Sequence, residues 1–257
     1  MINAKRDAEL AASPWEQLYQ DYASTWALAD RARAFDRRTA LVRQARGLFA
    51  RAHRRDAWWA RPALADTKRQ SFVVEVLDSN VPRHLFAAMI HAAVREPDAF
   101  KKRQFIQPCV FSYGQRRVIE ALLVYLEHGA DREKAEAAIA LYWTSSSEDG
   151  GYFSVTGRVF DKKALWWTPE AQAEYASWQP VRTRQAALLT EEFRRHENSV
   201  VRQFIVAQLF LNPTYDEQTL RALGPAGLEI ARRHDDWYVR RRAGLLHDAA
   251  VDVEMRD

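Results

Sequence analysis

The segment DDWYVRRRAGLL, from Asp235 to Leu246, shows the spacing that decides the fold. An acid stands at its start, where the dipole of a helix favours negative charge, and apolar residues return at three- and four-residue steps on one face. The same spacing is found three times upstream. The four starting acids are Asp78, Asp131, Glu197 and Asp235. Four copies in order predict similar helices that are stacked along the chain and share one core.

The four copies agree at fixed distances after the acid. The fourth residue is Pro82, Ala135, Val201 or Val239, and the fifth is Arg83, Glu136, Arg202 or Arg240. The eighth residue is apolar in every copy, as Phe86, Ile139, Ile205 or Ala243, and the ninth is Ala87, Ala140, Val206 or Gly244. This pattern resembles the second helix of HEAT-type helical hairpins. The resemblance implies an all-α fold, a HEAT-like α-solenoid of stacked antiparallel helix pairs over about 65–248, with a curved groove that binds proteins.

The composition favours a folded helical chain. Hydrophobic residues make up 47% of the 257 residues, which argues against disorder, and only 9 Gly and 9 Pro interrupt the chain. The single Cys109 excludes an internal disulfide. No apolar run approaches the roughly 20 residues that span a bilayer, and the first residues do not read as a secretory leader. We therefore expect one domain, 1–257, with a helical cap at about 1–64, as a cytoplasmic monomer that binds no membrane.

Caps and apolar periods predict the individual helices. Ser13-Pro14-Trp15-Glu16 is typical of a helix start, because Ser caps, Pro suits the first turn and Glu follows three residues later. Further helices are expected at about 37–59, 65–77, 82–94, 100–113, 115–127, 131–143, 168–178, 180–195, 198–211, 216–223, 226–233 and 235–250. The stretch 145–168 lacks a helical period and carries Gly150-Gly151, so it predicts an irregular insertion. Such an insertion either has a function or covers an exposed repeat edge.

Tryptophan doublets and neighbouring aromatics are the first candidate binding residues. Adjacent residues on a helix point about 100° apart, so one ring of each doublet can be buried while the other reaches a groove. Large aromatics are frequent in binding hot spots, although such rings more often fill gaps between short helices. The candidate partner-binding residues are Trp58, Trp59, Tyr152, Phe153, Trp166 and Trp167.

A basic segment from Arg31 to Arg61 is the second candidate. It contains ten Arg against Asp36 and Asp56, although the whole chain carries only +4. Arginines on the outer side of a helix are usually a solvated face, but they also neutralise phosphates. The candidate nucleic-acid-binding residues are Arg43, Arg46, Arg51, Arg54 and Arg241.

Motifs for chemistry are not evident in the sequence. None of the seven His has the spacing of a helical metal pair, and Cys109 lies in an apolar segment that suits a buried thiol. There is no phosphate-binding loop and no nucleophile elbow. We therefore predict no catalytic residue, no metal and no cofactor, and we leave enzymatic activity open while favouring its absence.

Two functions follow as hypotheses. The first is a non-enzymatic interaction module that binds a protein partner through a solenoid groove or through the insertion. The alternative is a DNA-binding protein, or an enzyme of the HEAT-like alkylpurine DNA glycosylase family, whose members are similar in length, helical and basic. The glycosylase hypothesis lacks a matching catalytic Asp beside a Trp.

Overall fold

The computed structural model describes residues 13–51, 59–78, 80–144, 152–153, 159–160, 177–210, 227, 229–237 and 239–241. The described chain is mostly helical, which confirms the predicted all-α class. Two compact units divide it, Met1–Ala92 and Ala93–Asp257. Among the helices described, none is long and apolar enough to cross a membrane. The single domain expected from the sequence stays a prediction.

The first unit begins at the predicted cap. Ser13 Oγ accepts a hydrogen bond from the backbone N–H of Glu16 at 3.2 Å, and Pro14 occupies the first turn. The elements are α1 (Pro14–Ser24), a 3₁₀ turn (Thr25–Ala27), α2 (Arg31–Arg51), α3 (Ala60–Leu64), α4 (Gln70–Leu77) and a second 3₁₀ turn (Arg83–Leu85). Helix α2 starts six residues before the predicted position 37, and α5 (Phe86–Arg95) contains the boundary between the units.

Aromatic rings fill the core of the first unit. Trp15 stacks on Trp59 with ring centroids 4.5 Å apart, and the fully buried Phe72 lies 5.1 Å from Tyr22 and 6.2 Å from Trp59. The Tyr22 hydroxyl donates to Glu75 Oε1 at 2.7 Å, so the ring is buried while its polar end is satisfied. These rings hold α1, α3 and α4 together.

The second unit contains the remaining elements. They are α6 (Arg103–Tyr113), α7 (Gln115–His128), α8 (Asp131–Tyr142), β1 (Tyr152–Phe153), β2 (Val159–Phe160), α9 (Gln179–Arg195) and α10 (Ser199–Phe210). Helix α8 packs against α7 and α10, and α9 packs against α7, α8 and α10. Gly114 separates α6 from α7 with a positive φ of 82°, a conformation that glycine adopts without strain. Helices α6 to α10 match the predicted spans to within a few residues.

The predicted insertion at 145–168 contains one short pair of strands. Tyr152 lies opposite Phe160 and Phe153 opposite Val159 in an antiparallel ladder. The sequence predicted an irregular segment and missed this pairing. The rest of the insertion, residues 168–176 of the helix predicted at 168–178, and the helix predicted at 216–223 lie outside the described residues.

The repeated spacing describes the second unit better than the first. Asp131 begins α8, and the predicted inward positions Ile139 and Ile205 are buried. The prediction that Asp78 starts a helix is wrong, because Asp78 ends α4 with a positive φ of 48°. At φ 48° and ψ −129° the backbone of Asp78 cannot continue an α-helix, so α4 ends there. Leu85 of the 3₁₀ turn is buried, whereas the predicted inward residue Phe86, at the start of α5, is only partly buried.

Candidate functional site

The predicted aromatic anchors fall into two groups. Trp59 is only 4% exposed and stacks on Trp15, so it is the core member of its doublet. Tyr152 and Phe153 form β1. Trp58, Trp166, Trp167 and the side chains of β1 lie outside the described residues.

Two of the predicted nucleic-acid-binding arginines bind main-chain atoms. The Arg46 guanidinium donates to the Glu75 carbonyl through Nε at 3.0 Å and Nη2 at 2.7 Å, and it pairs with the Asp78 carboxylate at 3.0 Å. Arg46 therefore closes the carboxyl end of α4, where carbonyls lack helical partners. Arg51 Nε donates to the Gly47 carbonyl of its own helix at 2.9 Å.

The remaining arginines of that prediction differ in position. Arg43 is exposed on α2, and Arg241 is exposed at the end of the described chain. Arg54 lies outside the described residues. Among the described arginines of this prediction, Arg43 and Arg241 are therefore the two that face solvent and have no role at a helix end.

Two of the three arginines that stand five residues after a repeat acid, Arg202 and Arg240, have structural roles. Arg202 Nε donates to the Phe193 carbonyl at 3.2 Å, near the end of α9. Arg240 Nη1 donates to the carbonyls of His234 and Asp235 at 2.6 Å each. In these two copies the side chain binds carbonyls that precede it in the chain, so it stabilises the connection to the preceding segment.

An aromatic cluster in the second unit is the strongest candidate site. Its members are Phe100, Tyr142, Trp143 and Phe204. Phe100 lies 6.1 Å from Trp143 and 6.2 Å from Phe204, and Tyr142 lies 5.3 Å from Phe204. The other three rings are partly buried, whereas Phe100 is 72% exposed. The cluster therefore has one exposed ring, Phe100, packed on three partly buried aromatic rings.

Hydrogen bonds fix the cluster. Trp143 Nε1 donates to the Ala99 carbonyl at 2.7 Å, which joins the end of α8 to the residue before Phe100. The Phe100 backbone N–H donates to Asp98 Oδ1 at 2.9 Å. On the other side, Gln208 Nε2 donates to the Ala138 carbonyl at 2.7 Å and ties α10 to α8.

A buried lysine supports the segment that carries Phe100. Lys102 is fully buried, and its Nζ donates to the Ala93 carbonyl at 2.9 Å and to the Glu96 carbonyl, and pairs with Glu136 Oε2 at 2.9 Å. Burial lowers the pKa of Lys102, and the nearby Glu136 carboxylate opposes that effect. An ammonium group has three N–H donors, so this lysine is committed to structure.

The cluster has a positive edge. The Arg103 guanidinium lies 5.9 Å from the centre of the Trp143 ring, and Lys101 is exposed beside Phe100 in sequence. Cation and ring attract each other through the ring quadrupole. The sequence missed these residues because Phe100, Trp143 and Phe204 are far apart along the chain. The one local signal for this site in the sequence was a large apolar residue, Phe100, within the polar turn before α6.

The described residues offer little for catalysis by a metal or a thiol. They contain no group of three His, Cys, Asp or Glu side chains that could hold a metal ion. Cys109 is fully buried, and burial raises the pKa of its thiol. The cluster can bind a ligand through ring contacts and apolar burial, and Arg103 and Lys101 add positive charge.

Comparisons of the chain with models of protein families, with curated proteins and with solved structures returned no match. The function is therefore argued from the side chains described above.

Proposed function

We propose that this chain is a non-enzymatic binding protein that holds a protein partner on the aromatic cluster of its second unit. The observation that carries the proposal is the Phe100 ring, 72% exposed on a base of three packed aromatics. Aromatic and arginine side chains dominate protein-binding hot spots, which form in well-packed surroundings. The cluster combines both, because Arg103 lies beside Trp143.

Pre-ordering of the cluster favours affinity. The Trp143 indole is held by the Ala99 carbonyl, and the Phe100 backbone is held by the Asp98 carboxylate. The main chain of the site is therefore already ordered, and the site loses little conformational entropy when a partner binds. Ordering a surface on binding normally offsets part of the interaction energy. The proposed site therefore resembles a rigid docking point more than a flexible loop.

The exposed groups indicate the chemistry of the partner. Burying a Phe side chain contributes about 1.5–3 kcal/mol, which requires an apolar group on the partner opposite Phe100. Lys101 and Arg103 favour an acidic residue at the edge of the same contact. The expected partner segment therefore carries an apolar anchor next to a carboxylate.

The HEAT-like architecture forms part of the proposal. Helices α7 and α8 form one consecutive pair and α9 and α10 the next, and α8 packs beside α10. Tyr142 lies on α8 and Phe204 on α10, so the cluster joins the second helices of two pairs. In a HEAT-like solenoid such neighbouring helices form a continuous surface, which supports this location for a partner.

Site-specific photo-crosslinking tests the proposal directly. A benzophenone amino acid at position 100 is compared with the same group at Val124, an exposed apolar position on α7. Position 100 is expected to capture a discrete protein in cells of the source organism. With that partner purified, Phe100→Ala is expected to raise Kd about 10-fold, a loss of about 1.4 kcal/mol, while Val124→Ala leaves Kd within about twofold.

Two results would overturn the proposal. Equal crosslinking from positions 100 and 124 would show that the contacts are unspecific. A purified partner that binds Phe100→Ala and wild type equally would place its site elsewhere. Far-UV circular dichroism of both variants checks that the helices are intact.

The duplex-DNA and glycosylase alternative receives less support from the described contacts. It depended on the basic helix α2, and the Arg46 and Arg51 guanidinium groups of that helix bind carbonyls. A glycosylase must release the altered base, so free base released from alkylated duplex DNA above an uncatalysed control would replace the protein-binding proposal.

A further inference from the structure

A second exposed aromatic surface lies in the first unit, within residues 13–92. Trp26, in the 3₁₀ turn after α1, is 66% exposed, and Phe35, in the second turn of α2, is 63% exposed. The Arg38 guanidinium lies 4.1 Å from the centre of the Trp26 ring. Arg31, Phe35 and Arg38 are four and three residues apart, so they form one stripe on α2. We call Trp26, Arg31, Phe35 and Arg38 the aromatic–arginine patch.

Packing of the unit does not account for these exposed rings. One turn after Arg38 the same side of α2 is buried at Val42 and Ala45. Ala34 is buried in the first turn, so Phe35 lies beside the buried face but outside the core. A single exposed aromatic is ordinary, whereas two large exposed rings, one against Arg38 and the other one turn before Arg38 on the same helix, are typical of a binding surface. The Tyr22 ring supports Trp26 edge to face at 6.4 Å.

The charge of α2 indicates what the surface binds. Its 21 residues contain seven Arg and one Asp, a net charge of +6. Arg31, Arg33, Arg37 and Arg43 are exposed and have no carboxylate partner among the described residues. A matching ligand carries several negative charges and flat groups that stack on Trp26 and Phe35.

We propose that the aromatic–arginine patch binds single-stranded nucleic acid. Unpaired bases stack on exposed aromatic rings and on guanidinium planes, while a positive surface follows the phosphates. In this arrangement one base stacks on Phe35, another lies against the Trp26–Arg38 pair, and Arg31 on the same stripe neutralises a neighbouring phosphate. Bases of a duplex already stack on each other, so a duplex uses only the charges. The proposal concerns the first unit alone and is independent of the protein-binding proposal.

Fluorescence anisotropy with a labelled oligothymidylate of about 15 nucleotides tests the patch in the full chain. Base–aromatic stacking contributes about 1–3 kcal/mol per base, so Trp26→Ala and Phe35→Ala are each expected to raise Kd roughly 5- to 150-fold. Val124→Ala, at an exposed apolar position of the second unit, is the control and is expected to leave Kd unchanged. The logarithm of affinity is expected to fall with the logarithm of salt at about −0.7 per phosphate neutralised.

Conservative variants separate stacking from general hydrophobicity. Phe35→Tyr keeps the flat ring and is expected to retain binding, whereas Phe35→Leu keeps the apolar volume and is expected to weaken it. Melting temperatures of these exposed-site variants check that α2 is intact. The comparison of Phe35→Tyr with Phe35→Leu tests base stacking even if an alanine variant unfolds.

Three results would overturn the proposal. The first is no binding of the oligothymidylate at about 50 mM salt. The second is equal binding by wild type, Trp26→Ala and Phe35→Leu. The third is displacement of the oligonucleotide by an equal charge concentration of polyglutamate or anionic vesicles with higher affinity, which would assign the patch to an acidic protein or a membrane surface.

Discussion

The Nζ atom of Lys102 lies 2.9 Å from Oε2 of Glu136, and the lysine side chain that carries it is completely buried. The same Nζ donates to the carbonyls of Ala93 and Glu96 near the end of α5. One cation therefore fastens the turn between α5 and α6 to α8. Phe100 stands in that turn, so the geometry of the proposed partner site depends on a group that no partner can touch.

Replacement of Lys102 by Met is expected to destabilise the second unit strongly. The change leaves Glu136 without its cation and leaves two carbonyls without their donor, and removing one partner of a buried ion pair costs about 3–5 kcal/mol. Urea unfolding followed by circular dichroism measures the loss. Lys101→Met, at the exposed neighbour, is the control and is expected to change stability by less than about 0.5 kcal/mol. Equal stability of the two variants would contradict the role assigned to Lys102.

Aspartate at either inward repeat position is expected to unfold the second unit. Ile139 on α8 and Ile205 on α10 are buried, and a buried unpaired carboxylate costs several kcal/mol against a domain stability of roughly 5–15 kcal/mol. Val200→Asp places the same group at an exposed position of α10 and is expected to be tolerated. Wild-type melting of Ile139→Asp or Ile205→Asp would show that the register is misplaced.

The sequence was informative where local signals are unambiguous. Asp131 starts α8 and the apolar residues after it keep one face, so both the helix and its buried side were predictable. Ser13 and Pro14 fixed the start of α1 in the same way. Asp78 misled the prediction because an Asp near a helix end can cap the next helix or adopt a positive φ. Only the backbone conformation shows that Asp78 adopts a positive φ.

Contacts between distant residues account for what the sequence could not show. Arg46 belongs to a basic run that predicts a phosphate-binding surface, yet its guanidinium binds the Glu75 carbonyl 29 residues away. A charge count does not reveal which cations are used internally. Likewise, Phe100 and Trp143 become neighbours only when α6 and α8 fold together, so the candidate site could not be assembled from the linear pattern.

Arg46→Ala is expected to lower the stability of the first unit by about 1–2 kcal/mol. Hydrogen bonds from a charged donor to the Glu75 carbonyl stabilise the end of α4, while the exposed ion pair with Asp78 contributes little. Arg43→Ala removes an exposed arginine of the same helix and is the matched control. Thermal unfolding of both variants compares the two roles. Equal melting temperatures would indicate that Arg46 acts as a surface charge.

The buried thiol of Cys109 predicts a loss of stability at alkaline pH. Burial raises its pKa above the ordinary value of 9.0, so the native state keeps the proton while the unfolded chain loses it. This contribution to the free energy of unfolding is fully present below pH 9 and declines as the pH rises further, at up to about 1.4 kcal/mol per pH unit. The native thiol is also expected to resist thiol reagents until the protein unfolds.

Comparison with Cys109→Ala isolates the thiol from other groups that titrate in the same range. Burial lowers the pKa of Lys102 and raises that of Tyr22, and both groups are present in wild type and variant alike. The cavity left by the Ala substitution lowers stability by an amount that does not depend on pH. The difference in free energy of unfolding between the two proteins is therefore expected to be constant from pH 7 to 8.5 and to shrink above about pH 9. A difference that stays constant to pH 10.5, together with rapid labelling of the native thiol, would show that Cys109 reaches solvent and that α6 is not packed as described.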